Sequence, residues 1–185
     1  MGSMFAVFWL LLAAFPCVLQ AQPKSTHEIT KPVRVFVQTF YDWYVPISLR
    51  NNSVPASDFA LKYKSSDFSP ELLRALQEDS NARAKVTGEV VGLDFDPFLN
   101  GQDPCQRYVV GEIAHRGASY WVDVYGICSG RKSQKPDVTA ELVYKNGHWL
   151  FVNFHYNGIA KQYPQSADLV SILKLLRKDR ERPSR

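Results

Sequence analysis

Apolar positions recur along this chain first with the period of a helix and later with the period of a strand, and the change falls near Cys105. Val33, Phe36, Val37, Phe40, Tyr44 and Ile47 stand at helical spacing. Pro32 occupies a first turn, where an N–H has no helical partner. Pro46 marks the expected end, because its ring disfavours the helical conformation of the residue before it. Ser57-Asp58 caps a short second helix through Tyr63. Ser69 as N-cap and Pro70 as first helical residue open a third, ending near Arg83, with Leu72, Leu73, Leu76 and Ala84 on its buried stripe. Val86 to Leu93 suits an edge strand or an extended lead-in.

Beyond Cys105 the period is two. Arg107–His115 and Ser119–Cys128 flank Arg116-Gly117, and a two-residue turn there pairs His115 with Ala118, Val109 with Val124 and Ile113 with Tyr120. The same register pairs Cys105 with Cys128, the two cysteines left after a leader is removed. It also sets Tyr108 against Tyr125 and Glu112 against Trp121 on the opposite face. A strict ladder would put the cysteines at a hydrogen-bonded pair, whereas cross-strand disulfides favour closer sites. A bulge at Gly111 or Gly126 would relieve this. Gly130–Pro136 is a polar loop and Val138–Lys145 the third strand. Asn146-Gly147 is a strong type I′ hairpin signal. The fourth strand, His148–Tyr156, carries large apolar groups on both Trp149-Phe151-Asn153-His155 and Leu150-Val152-Phe154-Tyr156. Ser166 caps a last helix to about Lys178, bearing Leu169, Val170, Ile172, Leu173 and Leu176.

Helices followed by strands make the fold class α+β. The expected architecture is N-terminal helices packed on a curved four-stranded antiparallel sheet, closed by a C-terminal helix. The sheet's inner face would pack on the first helix. The outer face would be buried by a second copy or by the last helix.

Composition changes this picture at the two ends. Met1–Ala21 has an apolar run, Phe5–Ala14, and a small-residue cleavage site at Ala21, as in a secretory signal peptide without basic residues in its n-region. Gln22–Lys31 is a polar leader, residues 32–178 one domain, and residues 179–185 a basic tail. The expected location is therefore periplasmic or secreted, with no transmembrane segment in the mature chain. Two cysteines in an oxidising compartment point to a disulfide, stabilising by about 3 kcal/mol for a loop of this length. The net charge of +4 is accounted for by Lys174, Arg177, Lys178, Arg180, Arg182 and Arg185 against Asp179 and Glu181, the signature of a solvated helix end. Asn51-Asn52-Ser53 matches a glycosylation sequon.

The stretch Asp94–Cys105 joins the two periods and holds three carboxylates, two prolines and two phenylalanines. Asp94, Asp96 and Asp103 carry oxygen ligands, but Pro97-Phe98 breaks any EF-hand spacing, and bonds to loop N–H groups are the better reading. The stretch is read as a clasp, with Phe95, Phe98 and Leu99 plugging one end of the fold beside a ligand site. His155, beside Asn153 on a late strand, is the one histidine placed to act as a base; Asp42, Tyr41 and Tyr44 are its candidate neighbours. His27 lies in the leader, and His115 and His148 flank turns. The aromatics are not interleaved with Lys or Arg, so nucleic acid is not an expected partner.

Phe40-Tyr41-Asp42-Trp43-Tyr44, Asp94-Phe95-Asp96-Pro97-Phe98-Leu99 with Gln102-Asp103, and Asn146-Gly147-His148-Trp149 through Tyr156 resemble the bacterial domain-of-unknown-function family 3828. That family is grouped with the nuclear transport factor 2-like and cystatin-like folds. The resemblance implies a cone-like sheet around a cavity, used by some members for catalysis and by others for binding, and it supplies no activity. The expected function is an exported, non-catalytic binding module for a protein partner or small apolar ligand, of the envelope-inhibitor or immunity type, with no cofactor or metal. The candidate ligand-binding residues are Tyr41, Trp43, Tyr44, Asp94, Asp96, Asp103, Trp149 and His155. The competing expectation is a small hydrolase or isomerase using His155, Asp42 and Tyr44.

Overall fold

A computed structural model describes residues 26–50, 54–86, 91–157 and 168–182. The elements are α1 (Thr26–Ser48), α2 (Ala56–Tyr63), a 3₁₀ turn (Ser65–Asp67), α3 (Pro70–Arg83), β1 (Arg107–Arg116), β2 (Ser119–Cys128), β3 (Arg131–Lys132), β4 (Val138–Lys145), β5 (His148–Tyr156) and α4 (Leu169–Arg180). This is an α+β fold with an open antiparallel sheet of five strands in the order β1-β2-β4-β5, β3 pairing with the end of β2. The short β3 falls inside the stretch expected to be a loop. The signal segment, the glycosylation sequon and Ser166 lie outside the described residues.

Helix α1 is longer at both ends than its prolines predict. Pro32 and Pro46 both lie inside it. Pro46 falls in the last turn, so only one internal hydrogen bond is lost, and the packing of Tyr44 and Val45 into the core outweighs the local preference. Phe40 is the hub of that core. Its ring stacks on Tyr44 at 5.5 Å and meets Phe151 at 4.9 Å and Phe98 at 5.5 Å. The α1 rings fill the space against the sheet, where Val122, Val124, Ala140 and Leu142 have no exposed area.

Ser69 caps α3 as expected, its Oγ accepting from the Leu72 N–H at 3.2 Å. Ala84 is exposed, a correction to the expected stripe. Helix α2 begins after Pro55 with no side-chain cap. Asp58, expected as a cap, instead pairs with Arg83 of α3 at 3.1 Å. Helix α4 is capped by Asp168, whose Oδ1 accepts from the Ser171 N–H at 3.0 Å.

The β1–β2 register differs from the expected one. The turn is Gly117-Ala118, pairing Arg116 with Ser119, and Gly117 has φ 60° at the first central position, which suits a type II′ turn. A bulge between Val110 and Ile113, at the Gly111 site expected for one, then shifts the ladder, so that Tyr108 faces Gly126 and Val109 faces Tyr125. Cys105 and Cys128 do form the disulfide, with Cα atoms 4.6 Å apart, at the end of the ladder rather than within it. Gly126 makes room for it: a Cβ there would meet Cys105 Sγ at 2.7 Å. The Asn146-Gly147 turn is as expected, with φ 52° and 82°. A second bulge leaves Val152 without a partner on β4. Phe151 and Phe154 consequently both face the core, a correction to the simple alternation.

Edge strand β1 is covered by α1. Gln38 Nε2 donates to the Tyr108 carbonyl at 3.0 Å, and Gln38 Oε1 accepts from the Val110 N–H at 2.9 Å. Arg34 donates to the carbonyls of Val110 and Gly111 at 2.9 and 2.7 Å. One helix face thus imitates a neighbouring strand and satisfies groups that would otherwise template aggregation.

Candidate functional site

The residues expected to line a cavity are distributed over three places. Tyr41 and Tyr44 are core residues, 1% and 0% exposed. The Tyr41 hydroxyl donates to the Phe98 carbonyl at 2.9 Å and that of Tyr44 to Asp96 Oδ2 at 2.6 Å. Burial, reinforced by the Asp96 charge, raises both phenol pKa values well above the ordinary one. Neither phenol can meet a ligand without unpacking the core. Trp43 is half-buried under the Lys64 ammonium, and Trp149 packs on Tyr120 and Tyr144. Asp42 is exposed and accepts from Gln38 at 2.8 Å.

Asp96 organises the clasp. Its Oδ1 accepts from the N–H groups of Phe98 and Leu99 at 2.9 and 3.2 Å, while its own N–H donates to the Gly101 carbonyl at 3.0 Å. Loss of water contact raises its pKa to about 6 from 3.8, against the lowering effect of these donors. Tyr156 ties Pro97 down through a 2.7 Å bond to its carbonyl. A cleft of about 350 Å³ borders the clasp, lined by Asp94, Asp96, Gln102, Arg50 and Arg83. Asp103 is exposed. Among the described residues no group of three or more His, Cys, Asp and Glu side chains could hold a metal ion.

His155 is separated from Asp42 and Tyr44 by the sheet itself. It projects from the outer face, where its ring stacks on Trp121 at 4.0 Å and its Nε2 lies 2.9 Å from Glu141 Oε2. The Arg116 guanidinium lies 4.3 Å from the centre of the Trp121 ring. Next to them Thr139 donates to Asp123 at 2.8 Å, and Asn153 donates to Asp168 at 2.9 Å. Burial opposes ionisation of Asp168, yet bonds from Asn153 and Ser171 hold its carboxyl below the usual range. Tyr125 lies over the bare Gly111 backbone, with Lys132 3.9 Å from its ring centre.

Alternation along β2 and β4 creates this face. Val122, Val124, Ala140 and Leu142 enter the core, so Trp121, Asp123, Tyr125, Thr139 and Glu141 point the other way. Of the described helices, α1 lies against β1, and α3 and α4 against β5. His155 and Glu141 keep 24% and 21% of their side-chain surface exposed. Sequence reasoning placed Trp121, Tyr125 and Glu112 on this face but also Tyr108, which the structure buries in the core against Tyr41, and it missed Glu141, Arg116 and Asp168. The Asn146-Gly147 turn by itself would pair Glu141 with Val152, on the face opposite His155, and the β5 bulge that pairs Glu141 with Asn153 and brings it to the His155 face leaves no mark in the sequence. Compared with known proteins, the chain matches no family model, no curated protein and no solved structure.

Proposed function

We propose that this chain is a non-catalytic binding module that presents the outer face of its sheet to a protein partner. One observation carries the reading: Arg116, Trp121, His155 and Glu141, one from each of the four long strands, form a pre-assembled and partly exposed aromatic and charged group on the outer face of the sheet. Trp, Tyr and Arg are the residues that most often anchor interfaces, and side chains already held in place lose little entropy on binding. The packed interior supports a surface function over a cavity function. Export to the periplasm or beyond belongs to the same proposal, supported by the Met1–Ala21 pattern and the Cys105–Cys128 disulfide. So does kinship with family 3828 and the nuclear transport factor 2-like folds, supported by the order of helices and sheet. An envelope inhibitor or immunity-type role suits a small, disulfide-bonded protein of this kind, and a second copy is a candidate occupant of the face.

Photo-crosslinking tests it. A benzophenone amino acid at Tyr125 should join the protein to one reproducible partner in extract or to a second copy. The same probe at Tyr63, on α2, should not, and Trp121→Ala should abolish the adduct. Equal labelling from both positions would overturn the reading.

The 2.9 Å contact between His155 and Glu141 favours one alternative, a hydrolase or isomerase in which this pair replaces the expected His155 and Asp42. Activity against ester and amide substrates that survives His155→Ala would remove it.

A further inference from the structure

A cleft of about 480 Å³ lies between α3 and α4, within the size range of small-ligand sites. None of the residues of the outer-face stack lines it. Its floor is aliphatic: Leu72 and Ala75 from α3, Val170 and Leu173 from α4, and Val152 from β5. Val152 is there because of the second bulge. A regular ladder would pair it with β4, whereas here it has no partner strand residue and lines the cleft. Bulges often re-aim one side chain in this way beside functional sites.

Charge is arranged unevenly around the rim. At one end, Arg177 pairs with Glu78 at 3.3 Å and with Glu181 at 3.1 Å, and Arg180 with Asp79 at 2.8 Å, and these bridges close the cleft. One turn earlier on α4, Lys174 is exposed and makes no ion pair among the described residues. Lys174 and Arg177 share a helix face, and Arg177 keeps 59% of its side chain exposed. Glu71 lies at the other end of the α3 rim, toward Val170. From Val170 to Arg177 is about 10 Å along α4, roughly two turns, enough for a medium-length acyl chain and short for a partner helix.

We infer that the α3–α4 cleft binds a medium-chain fatty acid, its chain on Leu72, Val152, Val170 and Leu173 and its carboxylate against Lys174. The inference is independent of the sheet-face reading, and either stands if the other fails.

Decanoate titrated into the full chain tests it, by calorimetry and by methyl NMR. Decanoate should bind with shifts confined to the methyl groups of Leu72, Val152, Val170 and Leu173. Decanol, of the same length but uncharged, should bind at least tenfold more weakly, and Lys174→Glu should erase that preference. Ala75→Trp, which fills the floor, should abolish binding; if that variant does not fold, Val152→Asp at the half-buried bulge should do the same. No binding of decanoate, equal binding of decanol, shifts outside the cleft, or binding that survives in a folded floor variant would each overturn the inference.

Discussion

The Tyr44 hydroxyl donates a 2.6 Å hydrogen bond to Asp96 Oδ2, fastening the clasp to α1 across 52 positions of sequence. The other Asp96 oxygen shapes the clasp by accepting from Phe98 and Leu99. One carboxylate therefore links the local turn to the tertiary core.

That carboxylate should make stability depend on pH. Its pKa is raised from 3.8 to about 6 in the folded chain, so between those values the folded state binds more protons than the unfolded state. Its contribution to stability therefore falls as pH rises through this window and is greatest on the acid side. Asp96→Asn, which keeps an oxygen for Phe98 and Leu99, should flatten that part of the profile. Denaturant melts of both proteins at several pH values between about 4 and 7 measure the difference. Identical slopes in the two proteins would count against the shift.

A second prediction concerns Asp79, 1% exposed and entirely unforeseen from sequence. It accepts from the Leu93 N–H at 3.0 Å and from Arg180 at 2.8 Å, and lies 3.6 Å from Arg83 Nε. Arg180→Met would leave a buried carboxylate short of a partner and should cost about 2–4 kcal/mol. Arg180→Met combined with Asp79→Asn should cost less than the two single changes together, as measured by urea unfolding. Additive costs would show that the two side chains are not coupled.

Gln38 offers a third test. Gln38→Leu removes both bonds to β1 and should lower stability by about 1–2 kcal/mol. It also bares the N–H of Val110 and the carbonyl of Tyr108, so self-association should rise. Analytical ultracentrifugation of the variant reads this, and a variant that associates no more than the parent would show that Arg34 protects the edge alone.

The disulfide is the simplest to check. Protein expressed without residues 1–21, and so without Cys17, should show no free thiol in denaturant without reductant. Replacing Cys105 and Cys128 with alanine should cost about 3 kcal/mol by the loop-entropy argument. Two titratable thiols would contradict the pairing.

Much of the fold was legible because local physics coincided with the final packing. Ser69-Pro70 started α3 and Asn146-Gly147 turned β4 into β5, since a cap and a positive φ act within a few residues. Pro46 misled because two buried neighbours outweighed its local bias. The β1–β2 register was missed because Arg116-Gly117 and Gly117-Ala118 are both two-residue turns containing glycine, and the bulge that chooses between them depends on where Tyr125 and Gly111 pack. The cysteine pairing survived that error because the bulge and the ladder's end together bring Cys105 back to Cys128. The basic end of the chain read as solvated charge, yet Arg180 closes on buried Asp79, a contact across 101 residues.

Sequence alone determined the α+β order, the limits of the four long strands to within one residue, the hairpin at Asn146-Gly147 and the cysteine partners, because periodicity and turn chemistry are short-range. Tertiary structure alone decided where the chemistry lies. The sheet divides Tyr44 and Asp96 from His155, and its bulges send Val152 to the α3–α4 cleft. Those outcomes depend on how faces pack over distances of fifty residues or more, and no local pattern encodes them.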